Sequence, residues 1–290
     1  VGPQSISSST FNNLEINKPV GSIAELTGPV VLTGNLIGTS GTLDIKEYSF
    51  NRDLPGGSAS MGDNGTLIFG ADNGPTLFSN YTLALGSTII FNGTADQHIL
   101  LPGLAYGNLI LRNSGMKYLL TPIVVQSNLI IEAGSNLDGG SNVITLNGNW
   151  SNNGLFIPGS STVLANGTTK TISGNTTYNK FTVAGSYTFL SDASFNGLLN
   201  ITSTGSATVG SGINTILNGD LTSSGILNSM GSTTLTGNVA QTFSLINAVS
   251  TFALIVNFNG TVPPVFNSTS APQFAYLNIN NTGGVSPSVD

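Results

Sequence analysis

The residues with chemical reach in this sequence are few. His98 is the only histidine, set in Asp96-Gln97-His98-Ile99 after the turn Asn92-Gly93-Thr94. Imidazole and carboxylate are the parts of a general-base pair, in which the carboxylate fixes the imidazole tautomer. An acyl-transfer site would also need a marked nucleophile, and no Gly-x-Ser-x-Gly elbow is present. His98 therefore reads as a surface strand position. Asp63-Asn64-Gly65 and Asp72-Asn73-Gly74 lie nine residues apart and supply the oxygen atoms that calcium prefers. Both are also turn sequences in their own right, and neither an EF-hand loop nor a calcium-binding nonapeptide accompanies them. We expect no metal and no cofactor.

Glycoside cleavage needs two carboxyl groups a few ångströms apart. The nine Asp and four Glu are dispersed, and neither 139–191 nor 221–289 contains an acid. No catalytic residue is assigned, and the chain is expected not to be an enzyme. Trp150 is the only tryptophan and could act as a sugar-stacking platform. Its counterpart in Leu217-Asn218-Gly219-Asp220-Leu221 is Leu221, which places it in the core. Asn-x-Ser/Thr acceptors occur at Asn64, Asn80, Asn92, Asn166 and Asn259 among others, and they matter only in a host that N-glycosylates.

Charges concentrate in one stretch. Asp44, Lys46, Glu47, Arg52, Asp53, Asp63 and Asp72 are 7 of the chain's 20 charged residues, and Leu54-Pro55-Gly56-Gly57 within it reads as a loop. We expect a charged, loop-rich excursion near 44–72 from an otherwise continuous domain over 1–290.

The elements that would carry these residues are short strands. Alternation dominates, as in Leu14-Glu15-Ile16 and Phe181-Thr182-Val183, and no segment shows a helical apolar period. Turns such as Asn92-Gly93, Asn166-Gly167, Asn218-Gly219 and Asn259-Gly260 separate them. The class is all-β. Only 7% of residues are charged and 39% are apolar, so amides and hydroxyls solvate a chain that still has enough apolar surface for a core. The net charge of −6 with seven Lys and Arg argues against nucleic acid as a partner. The absence of Cys excludes disulfides and thiolate metal sites. No apolar run approaches the length of a membrane-spanning helix. A start at Val1 predicts a piece of a longer protein.

An aromatic-led strand recurs at Phe11, Tyr106, Tyr178 and Phe274, with gaps of 95, 72 and 96 residues. These gaps approach multiples of a single step of about 24 residues, the size of one solenoid coil. The spacing predicts a β-solenoid, a parallel β-helix of about 12 coils, with each Phe11-type strand at one fixed coil position. Tandem β-sandwich domains are the alternative, since short strands at regular spacing also fit them. A membrane β-barrel would need aromatic girdles that are missing.

Ile89-Ile90-Phe91-Asn92-Gly93-Thr94, Ile144–Gly154 and Phe11-Asn12-Asn13-Leu14-Glu15-Ile16-Asn17 resemble the repetitive regions of very large Bacteroidetes surface adhesins, including gliding-motility adhesins exported by the type IX route. The resemblance covers most of the chain but is one of repeat style, and no C-terminal sorting domain accompanies it. It implies a repetitive β fold and an extracellular, cell-surface location. The expected function is a non-enzymatic structural segment of an adhesin or surface filament, whose partners are other filament segments or surface glycans and substratum. The alternatives are a self-assembling filament subunit joined by strand pairing and a carbohydrate-binding or carbohydrate-cleaving β-helix.

Overall fold

In a computed structural model, which describes residues 2–72, 74–99, 104–246, 254–269, 274–282 and 286–288, the chain is all-β. Its parallel strands stack in about 13 coils of about 20 residues, a β-solenoid. The chain divides into two compact units, where the sequence suggests one domain: Val1–Asn142 with Asn153–Leu155, and Val143–Asn152 with Phe156–Asp290.

Most coils of the first unit have three strands. One face runs through Gln4–Ile6, Ile23–Leu26, the end of Leu36–Asp44, the end of Gly56–Phe69, Thr88–Phe91, Asn108–Leu111 and Asn128–Ile131. Every second residue points inward, so that Ala24, Leu43, Leu67, Ile89, Leu109 and Leu129 form one buried column. Burial of such a side chain contributes roughly 1.5–3 kcal/mol. A second face carries Gln97–Ile99, Met116–Leu119 and Asn136–Asp138.

The second unit repeats the plan with aromatic filling. Phe181, Leu199, Leu221, Phe243 and Phe266 form one inward column. Tyr178 stacks on Phe195 at 5.6 Å, and Phe243 on Phe266 at 4.7 Å. A sharp corner at Gly174 has φ +81°, and a Cβ there would sit 1.7 Å from the Asn152 carbonyl oxygen, so glycine is required.

The step is shorter and less uniform than the predicted 24 residues. Ile89 pairs with Leu109 and Leu109 with Leu129, both 20 residues on. Lys170 pairs with Tyr187, only 17 on, and Leu43 with Leu67, a full 24 on. The segments between strands, and register shifts such as that between Gly38 and Ser40, absorb the difference. The Phe11-type segments are accordingly not one coil position. Phe11 ends the strand Ser9–Phe11, whereas Tyr178 and Phe181 share the single strand Thr176–Val183.

The stretch 44–72 is not a loop-rich excursion. It comprises the buried end of Leu36–Asp44, the strand Phe50–Arg52, and Gly56–Phe69, a 14-residue strand that absorbs Gly56, Gly57 and Asp63-Asn64-Gly65. Its charges tie coils together. Lys46 binds Asp44 at 2.9 Å and Glu25 at 3.2 Å, and these carboxylates, Asp44 first, hold its ammonium above the usual range. Arg52 donates to the Gly34 and Leu54 carbonyls.

Candidate functional site

Most of the aspartates act as braces between coils. Asp63 Oδ1 accepts the Gly86 N–H at 2.9 Å, Asp72 Oδ1 that of His98 at 2.9 Å, and Asp96 Oδ1 that of Met116 at 3.1 Å. In the second unit Asp192 accepts from Asn214 at 2.8 Å and Asp220 from Thr242 at 2.7 Å. Asn13, Asn35, Asn51 and Asn149 do the same for Asn35, Ser58, Leu77 and Thr171. In each case an acceptor at one corner satisfies a backbone N–H one coil later. Thus Asp63 and Asp72 brace successive coils, and Asn73 lies outside the described residues. Among the described residues no three His, Asp or Glu gather as metal ligands.

A second brace lies inside. Gln241 is buried, accepts the Gly237 N–H at 2.6 Å, and donates to the Leu217 and Gly219 carbonyls at 2.6 and 2.8 Å. Gln97 repeats the device with Gly93 N–H at 2.7 Å and the Phe69 and Ala71 carbonyls at 3.0 and 2.7 Å. Lys117 stands one coil above Gln97, also buried, with its ammonium on the Gly93 and Gly115 carbonyls at 2.8 Å each. Burial pushes this ammonium down to about 8, against a smaller opposing pull from Asp96. The Tyr187 hydroxyl fills a comparable corner in the second unit. It accepts from Gly167 N–H at 3.0 Å, lies 2.7 Å from the Leu146 oxygen, and is raised to about 12 by burial.

Trp150 is fully buried, edge-on to Phe156 at 5.1 Å and to Tyr178 at 5.4 Å, and offers no face to a sugar. Of the glycosylation acceptors, Asn64, Asn80, Asn166 and Asn259 are exposed, while Asn92 is half-buried with its Oδ1 enclosed. A cleft of about 440 Å³ lies along the first coil, lined by Ile6, Phe11, Leu14 and Ile16, with Lys18 donating to Gln4 at 2.9 Å.

One outward column differs from the Ser, Thr and Asn ladders elsewhere. His98, Tyr118 and Asp138 are register partners on successive coils. His98 Nδ1 is 2.6 Å from Asp72 Oδ2, one coil below. Its ring stacks on Tyr118, centroid to centroid 5.6 Å and 27° from parallel. The Tyr118 hydroxyl reaches Asp96 Oδ2 at 3.5 Å, and Asp96, then Asp138 more weakly, holds the phenol above its usual range. Taken singly in the sequence, His98 gives no sign of this column. A 20-residue step would have aligned 98, 118 and 138.

No protein-family model, curated protein or solved structure matches this chain. What the geometry defines is a class, the parallel β-solenoid, whose carboxylates and buried amides serve the join between coils.

Proposed function

We propose that the chain is a non-enzymatic structural segment of an extracellular adhesin or cell-surface filament. The observation that carries this reading is the use of its polar side chains. The repeated Asx braces and the buried Gln97, Lys117 and Gln241 all link one coil to the next. A chain that directs its scarce charges to stacking suits a load-carrying or spacing role in which each coil supports its neighbours. The low charge and the hydroxyl- and amide-rich outer ladders suit a surface exposed to water outside the cell, facing filament segments, surface glycans or substratum.

Two measurements test it. Antibody raised against the chain should label intact source cells; labelling that appears only after lysis would sink the cell-surface assignment. Electron microscopy of the purified chain should show separate particles. Fibres would favour the second reading, a self-assembling subunit joined through strand edges, which the parallel pairing of each coil with the next supports.

A further inference from the structure

We propose that the open edge of the first coil binds the last coil of a second copy of this chain, head to tail, in a weak end-to-end contact. The proposal rests on the filament reading above and names the partner of such a segment.

The first coil of the first unit is an unfinished stack. Among the described residues Gln4–Ile6 pairs only with Ile23–Leu26, Ser9–Phe11 only with Val30–Leu32, and Leu14–Asn17 only with Leu36–Asp44. None of the three strands contains the proline or lysine that commonly blunts an exposed edge. The inward columns run out at the same place. Ile6 stacks on Leu26, Phe11 on Leu32 and Leu14 on Leu36. Leu26, Leu32 and Leu36 are fully buried, whereas Ile6, Phe11 and Leu14 are half-buried along the cleft of about 440 Å³.

The last described coil of the second unit shows the counterpart. Phe274–Asn281 pairs only with Leu254–Gly260 among the described residues. Leu217, Leu235 and Phe258 form a buried inward column, and its next member, Ile279, is 51% exposed.

Polarity makes the two edges complementary. The strands pair in parallel, so a second copy continues the stack only where a last coil meets a first coil. The side-chain ladders run in the same sense. Asn128 donates to Asn108, Asn218 to Asn196 and Asn278 to Asn257, each at 2.8 Å, so the later coil donates and the earlier accepts. The aspartate braces follow the same order. A last coil thus ends in acceptors and a first coil in donors. Their contact would extend the established coil-to-coil interface, completing the Ile279 column and covering Ile6, Phe11 and Leu14.

The contact is small. A coil of about 20 residues has an end of roughly a few hundred Å², against roughly 800 Å² per partner in a stable complex. Free association is therefore weak, and particles diluted for electron microscopy stay separate. Within a filament, tethering raises the local concentration.

The test is sedimentation equilibrium of the full chain from about 10 µM to about 1 mM. We expect the average mass of the wild type to rise with concentration. Phe11→Lys places a charge in the first-coil contact and Ile279→Lys one in the last-coil contact, and each alone should associate at least about tenfold more weakly. Mixed in equal amounts, the two variants should form dimers and nothing longer, since each keeps one working edge. Both positions are partly exposed, and circular dichroism checks that the variants fold. Leu14→Lys takes the place of Phe11→Lys if that variant unfolds. A wild type that stays monomeric to about 1 mM would overturn the proposal, as would undiminished association of both variants. Dimers of Ile279→Lys alone would show two first coils meeting and would overturn it as well. Antibody labelling of intact cells tests the filament reading separately, so either can fail without the other.

Discussion

Gln97 and Lys117 grip the same residue from successive coils. The Gln97 amide oxygen accepts the Gly93 N–H at 2.7 Å, and the Lys117 ammonium donates to the Gly93 carbonyl at 2.8 Å. The two side chains are register partners, one above the other inside the solenoid, and both are fully buried. A backbone corner with both groups bonded by buried side chains is locked in register, because a slip of one residue would turn both side chains outward. It would also strand the corner's polar groups, at a cost of about 1–3 kcal/mol each.

Lys117 gives the protein a measurable alkaline response. Its ammonium titrates near 8 in the folded chain, against an ordinary lysine value of 10.5. Between those values the unfolded chain holds a proton that the folded chain has lost, so stability rises as pH rises. The unfolding free energy from urea titrations should climb from pH 7.5 to 9.5 by up to about 1 kcal/mol per pH unit. Lys117→Gln, which installs the residue used at 97, should flatten that climb. Above about pH 10 the trend reverses, because Tyr81 and Tyr187, raised to about 12, keep protons that the unfolded chain releases. A wild-type unfolding free energy that is level from pH 7.5 to 9.5 would refute the assignment.

Gln241→Leu should be among the costliest polar substitutions in the second unit. It leaves the Gly237 N–H and the Leu217 and Gly219 carbonyls unsatisfied in a buried corner. The expected loss is about 3 kcal/mol in chemical denaturation. A loss under about 1 kcal/mol would show that water or relaxation restores the bonds.

Asp220→Ala should destabilise by about 1 kcal/mol and Asp220→Asn by much less. The brace needs one oxygen to accept the Thr242 N–H, and the amide supplies it without the charge. If the two variants lose the same stability, charge matters more than the hydrogen bond.

Trp150 serves as a native reporter. Its ring is buried among Phe156 and Tyr178, so its emission should be blue-shifted and resist acrylamide until the second unit unfolds. Trp150→Ala should cost about 3–5 kcal/mol. Ready quenching in the native state would contradict the burial.

The class and the stacking are legible in the sequence because alternation and turn residues are local signals. Phe181-Thr182-Val183 alternates and Asn92-Gly93 marks a corner whatever the coil length. The step is not legible to better than a few residues, since the aromatic-led segments that measure it take different places in the coil: Phe11 closes a strand that ends before Leu14, whereas Tyr178 and Phe181 share one. That error hides the outward column, since His98, Tyr118 and Asp138 align only at a step of 20. Asp63-Asn64-Gly65 reads as a turn, wrongly, for a related reason. It lies within a long strand that bends, and pairing with Leu36–Asp44 overrides the local preference. The buried Lys117 gives no sequence sign, because a lysine in an alternating strand reads as outward.

The uneven coils imply a way for such a protein to change over generations. Coils of 17 and of 24 residues both keep parallel pairing, with the surplus taken up between strands and in register shifts such as that between Gly38 and Ser40. An insertion or deletion at a corner therefore alters one outward feature and leaves the inner columns in step. New surface can be tried on a single coil while its neighbours keep their sequence, and the lineage can diversify what it touches without redesigning what holds it up.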